Sequence, residues 1–330
     1  MNTILDQLST TINPITGRTR APSTAKNYLY NVSKLSRHFT SEPISLDNLD
    51  FLLNAATLIK YINLSYAKTT AKNHLTSIIA VLQVQNEDKY TDAINIYLKG
   101  LDSLVKEIIS TTEIQTKTPK QTENWTTMKS LKKVATQYHK LLNDRGVFKK
   151  TYDSLPLKDR KKLTYWLIAS LYTSAGNPPV RATYANMSII TEKNYIALKP
   201  EELHTNYLVL GKKNQKYFSF NSFKNVRYTG LTKVPVARAL NRVLNKYFKL
   251  FSTPPEQLLI NNVGMPMNEA NLSATFTKVF DPTGKHITLN LVRHIFISEL
   301  LKDDKFIDEK KHNADMMMHT TSTQELYRKK

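Results

Sequence analysis

The residues with the clearest capacity for chemistry lie in the second half of the sequence and comprise two arginines, a lysine, an asparagine, a histidine and a tyrosine. In chain order they are Arg181, Lys224, Asn290, Arg293, His319 and Tyr327. Guanidinium groups can hold the oxygens of a phosphate and stabilise the charge that develops when its phosphorus is attacked. Cations beside a tyrosine favour its phenolate, which is a nucleophile. These residue types are therefore suited to the cleavage and rejoining of a phosphodiester.

Other kinds of catalytic centre lack the residues that they require. The sequence has 0 cysteines, which excludes disulfides, thiolate catalysis and cysteine-based zinc sites. Its histidines form no metal-ligand motif, and the run Gly211-Lys212-Lys213 lacks the spacing of a phosphate-binding loop. The strand-rich region 206–236 contains no acidic residue, which argues against a two-metal nuclease. We therefore expect neither a metal nor another cofactor.

The charge of the chain indicates a polyanionic partner. The 330 residues include 47 Lys and Arg against 27 Asp and Glu, which gives a net charge of +20. Neutralising DNA phosphates releases counterions and drives binding, although a lysine-rich surface that only aids solubility is the alternative. We expect the partner to be double-stranded DNA. The candidate contacts are Lys26, Lys34, Arg37, Lys68, Lys72, Lys212, Lys213 and Arg227.

The sequence has neither a secretion signal nor a segment long enough to span a membrane. The N-terminal residues MNTILDQLST do not form a basic segment followed by an apolar one, so we identify no signal peptide. The longest apolar runs, such as 165–172, are far shorter than a bilayer span. We expect an intracellular, DNA-associated protein.

The first third of the chain predicts a helical, DNA-binding domain at 1–110. Apolar residues recur at helical spacing in several segments, whose outer faces carry basic side chains. The segments are 23–39, 49–62, 68–84 and 91–109. Residues 111–122 lose this periodicity and gain threonine, lysine and a proline, which predicts an extended linker.

The remaining residues, 123–330, predict a second domain with helices and a small sheet. Helical patterns cover 125–143, 160–174, 236–251, 268–280, 288–302 and 306–317. Between them lie β-rich runs, separated by turn sequences, at 207–210, 216–223 and 231–236. We therefore expect a fold that is mainly α with a small antiparallel β-sheet in the second domain.

Several segments of the second domain resemble the sequence boxes of the tyrosine recombinases, the phage integrase-like and Cre-like family. The segment SAGNPPVRATYANMSI is similar to the first arginine box of the family, and KYFSFNSFKNVRYTGLTKVPV is similar to the hairpin that carries its lysine. The second arginine box resembles ITLNLVRHIFISELL, and the closing tyrosine box resembles MMMHTTSTQELY. The resemblance covers about 160–327, whereas the helical region before it has no diagnostic motif.

The resemblance implies a role for each catalytic candidate. Arg181 and Arg293 would grip the scissile phosphate, and His319 would also contact it. Lys224 would be the general acid and Tyr327 the nucleophile. The resemblance further implies a site-specific recombinase or integrase that forms a 3′-phosphotyrosine without metal or ATP. A helical core-binding domain and a mixed α+β catalytic domain would form a C-shaped clamp around the DNA.

The sequence departs from the family pattern at several positions. Asn290 stands where the family most often has histidine, and its amide can donate a hydrogen bond to phosphate but cannot act as an acid or base. Tyr184 replaces an acidic residue often found after the first arginine, and Met318 replaces the glycine before the closing histidine. The choice of Lys224 rests on its hairpin position, so other lysines remain open. These are Lys212, Lys213 and Lys216.

The biological outcome is also an expectation drawn from the resemblance. It implies a homo-oligomer, with a dimer on one site and a tetramer in synapsis, and an origin in a virus or mobile element. Two alternatives use the same scaffold. One is a type IB topoisomerase that relaxes supercoils, and the other is a catalytically decayed, non-enzymatic DNA-binding protein.

Overall fold

A computed structural model describes residues 3–13, 18–45, 48–85, 87–224, 226, 230–302 and 307–329. Contacts divide the chain into two compact units, Met1–Ile114 and Gln115–Lys330. Helices dominate both units and a small sheet lies in the second, which confirms the mainly α fold class. None of the described helices combines the length and the apolar character needed to cross a membrane.

The first unit is a helical bundle whose helices follow the apolar periodicity of the sequence. They are α1 (Ile4–Thr10), α2 (Pro22–Phe39), α3 (Ala55–Ser65), α4 (Lys68–Gln85) and α5 (Thr91–Glu113). A short antiparallel ribbon, β1 (Ile12–Asn13) and β2 (Arg18–Thr19), lies between α1 and α2 in the chain. The apolar stripes of the long helices are buried, as at Leu35 of α2, Ile78 of α4 and Tyr97 of α5. The basic faces described below therefore rest on a well-packed core.

The boundary between the units falls inside the stretch 111–122, but most of that stretch is helical. α5 continues into its start, and α6 (Pro119–Asn124) begins a few residues later. The side chain of Thr118 accepts a hydrogen bond from the backbone N–H of Gln121, and a proline at the first helical position suits a helix start. The predicted extended linker is thus wrong for both ends of the stretch. The assignment of the two domains to DNA binding and catalysis stays a prediction.

In the second unit, helices precede and follow the sheet along the chain. After α6 they are α7 (Met128–Asp144), α8 (Leu157–Thr173), α9 (Glu192–Ile196), α10 (Arg238–Phe248), α11 (Glu269–Val279), α12 (Leu289–Leu300), α13 (Ile307–Met316) and α14 (Thr321–Tyr327). α8 forms the centre of the core, because every residue from Leu163 to Thr173 is buried. A helix buried on all sides needs several neighbours, and α7, α10 and α11 pack against it.

The sheet within the described residues is mixed, not purely antiparallel as predicted. Its strands lie in the order β3 (Ser188–Thr191), β4 (Tyr207–Leu210), β5 (Lys216–Phe220) and β6 (Thr232–Pro235). β4, β5 and β6 are antiparallel neighbours, whereas β3 runs parallel to β4 with Ser188 opposite Tyr207. A parallel neighbour requires a crossover, which α9 and the segment after it provide. The sequence did not predict β3, because only two of its four residues are apolar and its side chains are half-buried or exposed, whereas β4 is a continuous apolar run that is largely buried.

The segment that carries Arg181 is anchored in this core by aromatic packing. Arg181 follows α8 and precedes a 3-10 turn at Ala182–Tyr184. The buried ring of Tyr184 lies 5.3 Å from that of Tyr172 and 5.0 Å from that of Phe218, measured between ring centres. Where the family pattern has an acidic residue, this chain therefore supports the arginine segment through packing.

Candidate active site

Arg293 and Tyr327 form the centre of the site. Thr288 caps α12, accepting a hydrogen bond from the backbone N–H of Leu291, and the helix carries Arg293 into the interior, where it is 1% exposed. Its Nη1 donates a 2.6 Å hydrogen bond to the hydroxyl of Tyr327. Its guanidinium carbon lies 4.4 Å from the centre of the tyrosine ring. A buried cation thus contacts both the oxygen and the face of the predicted nucleophile.

Arg181 reaches the same hydroxyl from a different segment. Its Nη2 donates to the Tyr327 hydroxyl at 3.4 Å, and its side chain is half-buried. The hydroxyl of Tyr172, which lies on α8, donates to the backbone carbonyl of Arg181 at 2.8 Å. This hydrogen bond helps to fix the backbone at Arg181. Two guanidinium groups from distant parts of the sequence thus converge on one phenol oxygen.

His319 completes the group as a neutral imidazole. It is 3% exposed, and its ring centre lies 5.7 Å from that of Tyr327. Burial, together with the charges of Arg293 and Arg181, lowers the pKa of His319 to about 4. At neutral pH the ring therefore has one N–H donor and one acceptor nitrogen.

Several polar atoms of this group are buried without a partner among the described residues. They are Nε and Nη2 of Arg293 and both ring nitrogens of His319. Burial lowers the pKa of Arg293 to about 10, which still leaves the guanidinium charged at neutral pH. A buried donor without an acceptor is costly, and a charged one more so. The group is therefore arranged to receive an anion, and the planar guanidinium donors suit phosphate oxygens.

Met318, which precedes His319, has the backbone conformation that a glycine would adopt most easily. Its φ is +57°, in the left-handed region, and its side chain is buried. The glycine of the family pattern at this position is thus explained by the backbone. In this chain a methionine takes the same conformation and fills part of the core.

The helix that carries Tyr327 is held at both ends. Thr320 caps α14 by accepting a hydrogen bond from the backbone N–H of Thr323. Glu325, near the other end, forms an ion pair with Lys310 of α13. Tyr327 is the last residue of α14, so its hydroxyl position depends on how this short helix is anchored.

The sequence did not identify His294 as a site residue, yet it contacts Tyr327 directly. Its Nδ1 lies 2.7 Å from the Tyr327 carbonyl oxygen, and the two ring centres are 4.8 Å apart. In the sequence, His294 lies in the segment ITLNLVRHIFISELL, which resembles the second arginine box, and directly follows Arg293. Its place next to Arg293 was the available signal, but a contact with a backbone carbonyl requires no particular residue type and leaves no pattern.

The structure brings Arg181, Arg293, His319 and Tyr327 together, but it does not do so for the other two candidates. Asn290 lies exposed in the first turn of α12, and Lys224 lies exposed in a turn after β5. Within the described parts of the chain, neither side chain makes a hydrogen bond to the other four. Their roles stay predictions.

β5 and β6 are antiparallel neighbours, so Lys224 lies in the connection of the segment that resembles the lysine hairpin, a few residues after β5 ends at Phe220. A tighter hairpin joins β4 and β5. Lys212 and Lys213 are exposed in that hairpin turn, and Lys213 has a left-handed φ of +50°. Lys216, at the start of β5, is buried and donates to the side-chain oxygens of Asn241 at 2.8 Å and Asn245 at 2.6 Å. Burial also lowers the pKa of Lys216. The four lysines therefore occupy three different environments.

The predicted DNA contacts of the first unit lie on exposed helical surface. Lys26, Lys34 and Arg37 of α2 and Lys68 and Lys72 of α4 all face solvent. An ion pair of 2.8 Å to Glu107 partly neutralises the Lys68 side chain. The remaining predicted contact, Arg227, lies outside the described residues.

Comparison with known proteins supports the fold. No protein-family model matches the sequence, and no curated protein does. The chain is similar to the crystal structure of the XerH site-specific recombinase bound to difH substrate in a pre-cleavage complex, with a TM-score of 0.50. The similarity covers 93% of this chain and 77% of that chain at 14% sequence identity. The helices, the small sheet and this similarity together show that the chain has a tyrosine recombinase fold.

Proposed function

We propose that the protein is a DNA strand transferase that cuts and rejoins double-stranded DNA through a 3′-phosphotyrosine at Tyr327. The observation that carries the proposal is the convergence of Arg181 and Arg293 on the phenol oxygen, beside buried donors that have no partner among the described residues. A phosphate bound beside the phenol could accept hydrogen bonds from the guanidinium donors that have no partner, and it would then lie directly in front of the proposed nucleophile.

The reaction forms one bond to phosphorus and breaks another. The Tyr327 oxygen attacks the phosphorus and loses its proton, and the bond from phosphorus to the 5′ oxygen breaks. That oxygen leaves with a proton from a general acid, for which Lys224 is the proposed donor. The phosphotyrosine ester retains the energy of the broken bond, so a 5′ hydroxyl can reverse the step without ATP.

Charge stabilisation comes from the side chains that surround the phosphate. The guanidinium groups of Arg181 and Arg293 hold the non-bridging oxygens, where negative charge accumulates in the transition state. His319, neutral at neutral pH, adds a hydrogen bond from one ring nitrogen. Removing one donor of this kind typically slows a reaction by about 100-fold or more.

DNA affinity comes from a different set of residues. The exposed lysines of α2 and α4 and those of the β4–β5 turn contact the phosphate backbone without reading sequence. The proposed biological outcome is site-specific recombination or integration by a homo-oligomer. Recombination is the proposed outcome because the structural neighbour is a site-specific recombinase bound to its substrate. Relaxation of supercoils by a monomer at undefined sites would instead indicate a topoisomerase.

The experiment that tests the proposal uses a pool of nicked duplexes with randomised sequence around the nick, labelled on the strand upstream of it. Cleavage of this strand releases the short fragment between the cleaved bond and the nick, and it leaves the label attached to the protein. We expect a covalent adduct with the wild-type protein, equally in EDTA, and none with Tyr327→Phe. Adduct formation by both proteins, or loss of the reaction in EDTA, would overturn the proposal.

A further inference from the structure

The backbone of the proposed nucleophile is held by a histidine to which the proposed reaction assigns no role. His294 follows Arg293 on α12 and is 8% exposed. Its Nδ1 lies 2.7 Å from the carbonyl oxygen of Tyr327, and because a carbonyl can only accept, Nδ1 carries the hydrogen. The two ring centres are 4.8 Å apart. One residue therefore contacts both the backbone and the ring of Tyr327.

The location of this hydrogen bond explains why it matters for the helix. Tyr327 is the last residue of α14, and Arg328 already has an extended backbone with φ −61° and ψ 133°. The final carbonyls of a helix have no partner within the helix. His294 supplies one of the missing donors. α12 also holds the chain two residues after Tyr327, because its Ser298 accepts a 2.8 Å hydrogen bond from the backbone N–H of Lys329.

Arg293 and His294 thus contact different parts of Tyr327. Arg293 contacts the hydroxyl and the ring face, whereas the polar contact of His294 is with the backbone. Burial lowers the pKa of His294, so the ring is neutral and adds no charge near the phosphate. The ring packs beside Tyr327 without a hydrogen bond to the hydroxyl.

We infer that His294 is a positioning residue for the nucleophile: it fixes the end of α14 so that the phenol of Tyr327 meets Arg181 and Arg293. The inference rests on the proposed function, and it assigns His294 no part in gripping the phosphate. A reacting group displaced by about 1 Å can slow a reaction by about 100-fold. Loss of the anchor should therefore impair attack by Tyr327 and leave the phosphate pocket intact.

The test measures attack by the tyrosine and cleavage supported by the phosphate pocket alone as two separate reactions. In a Tyr327→Phe background, hydrogen peroxide supplies a small nucleophile from solution. Its deprotonated oxygen attacks the phosphorus, the bond to the 5′ oxygen breaks, and that oxygen takes up a proton, so nothing is oxidised or reduced. Cleavage by peroxide requires the pocket but not the anchored phenol. The substrate is a nicked duplex selected from the randomised pool by adduct formation.

Two substitutions of His294 distinguish the anchor from the packing of the ring. His294→Phe keeps a ring and removes the donor, whereas His294→Asn removes the ring and keeps a donor near the position of Nδ1. With Tyr327 present, we expect His294→Phe to form adduct about 10- to 100-fold more slowly and His294→Asn to retain more of the rate. With Tyr327→Phe and peroxide, we expect His294→Phe to cleave at the rate of its parent.

Any different result would overturn the inference. If His294→Phe slows peroxide cleavage as much as adduct formation, His294 supports the pocket and is not a positioning residue. If His294→Phe forms adduct at the wild-type rate, no anchor is needed. Thermal unfolding of each variant shows whether the fold is kept, and Arg293→Met, which should lose both reactions, is the control for pocket damage. If wild type forms no adduct and Tyr327→Phe is inert with peroxide, the proposed function falls and the inference with it.

Discussion

The Nη1 of Arg293 donates a 2.6 Å hydrogen bond to the hydroxyl of Tyr327, and the guanidinium carbon of the same arginine lies 4.4 Å from the centre of the tyrosine ring. The cation and the proposed nucleophile are therefore each other's partner. A phosphate that enters the site must share or replace this hydrogen bond. It would also find two further donors, because Nε and Nη2 of Arg293 are buried without a partner among the described residues. In the proposed reaction, phosphate binding and activation of the phenol are thus coupled through one side chain.

Replacing Arg293 should separate stability from activity. A buried charge with unpaired donors contributes little to stability, and an apolar residue of similar shape is often neutral or stabilising. We expect Arg293→Met to leave the thermal unfolding midpoint unchanged or higher, and to lower adduct formation by about 100-fold or more. Binding to labelled duplex should stay close to wild type, because many lysines share the contact with the backbone.

The matched variant is Arg181→Ala, at the more exposed of the two arginines. We expect the same loss of adduct with little change in unfolding. A collapse of duplex binding with either substitution would mean that the arginines dock the DNA and do not act on its phosphate.

The burial of His319 predicts a pH-dependent stability. An unfolded histidine has a pKa of about 6.5, whereas the folded His319 has a pKa of about 4. Between these values the unfolded chain binds the proton and the folded protein does not. The free energy of unfolding should therefore fall as the pH drops from about 6.5 to about 4, by at most about 1.4 kcal/mol per pH unit from this residue.

Urea unfolding at several pH values measures this contribution. His319→Gln should flatten the part of the pH dependence that comes from this residue. The control is His204→Gln, because His204 is exposed and should leave the curve as in wild type. An unchanged curve for His319→Gln would contradict the burial of a neutral ring.

The left-handed backbone at Met318 predicts an unusual order of stability. At most buried positions alanine is better tolerated than glycine. At a φ of +57° the Cβ is strained, so we expect Met318→Gly to be more stable than Met318→Ala by about 1 kcal/mol. Both should be less stable than wild type, because the buried side chain is lost.

Chemical denaturation of the two variants gives the comparison. Met187 is also buried but does not have a positive φ, so we expect Met187→Ala to be more stable than Met187→Gly. The same order at both positions would show that the backbone at Met318 is not strained.

The identity of the general acid can be found by changing the leaving group. A 5′ sulfur leaves as a thiolate without protonation, since thiols have a pKa of about 8.5. A variant that lacks the acid should therefore be slow with the normal substrate and fast with the sulfur substrate. We expect this rescue for Lys224→Ala and not for Arg293→Met. Rescue of Lys212→Ala or Lys213→Ala in its place would move the role to the β4–β5 turn.

The helices and most of the candidate site could be predicted from the sequence because both depend on residue type. Apolar spacing predicted α4 and α8, and the order of two arginines, a histidine and a terminal tyrosine indicated a group that the structure brings together. The convergence of the two arginines on the Tyr327 oxygen could not be predicted, because it depends on the packing of α12, α14 and the segment after α8. The fold is shown by the structure and by its similarity to a known recombinase.

The features that the sequence did not predict depend on the backbone. β3 pairs in parallel with β4 through a crossover, and four residues carry no periodic signal for that pairing. His294 binds a carbonyl group, which every residue has. The strand predicted at 216–223 ends at Phe220, so Lys224 lies further from the strand end than expected, and strand ends are weakly encoded.

The most direct test of the central claim is to identify the residue that becomes attached to DNA. The adduct with the nicked duplex is digested with nuclease and trypsin, and the peptides are sequenced by mass spectrometry. We expect a nucleotide remnant, linked through its phosphate, on Tyr327 in the peptide 312–328. A remnant on a serine, threonine or histidine of that peptide, or anywhere else in the chain, would contradict the claim that this phenol attacks the phosphorus.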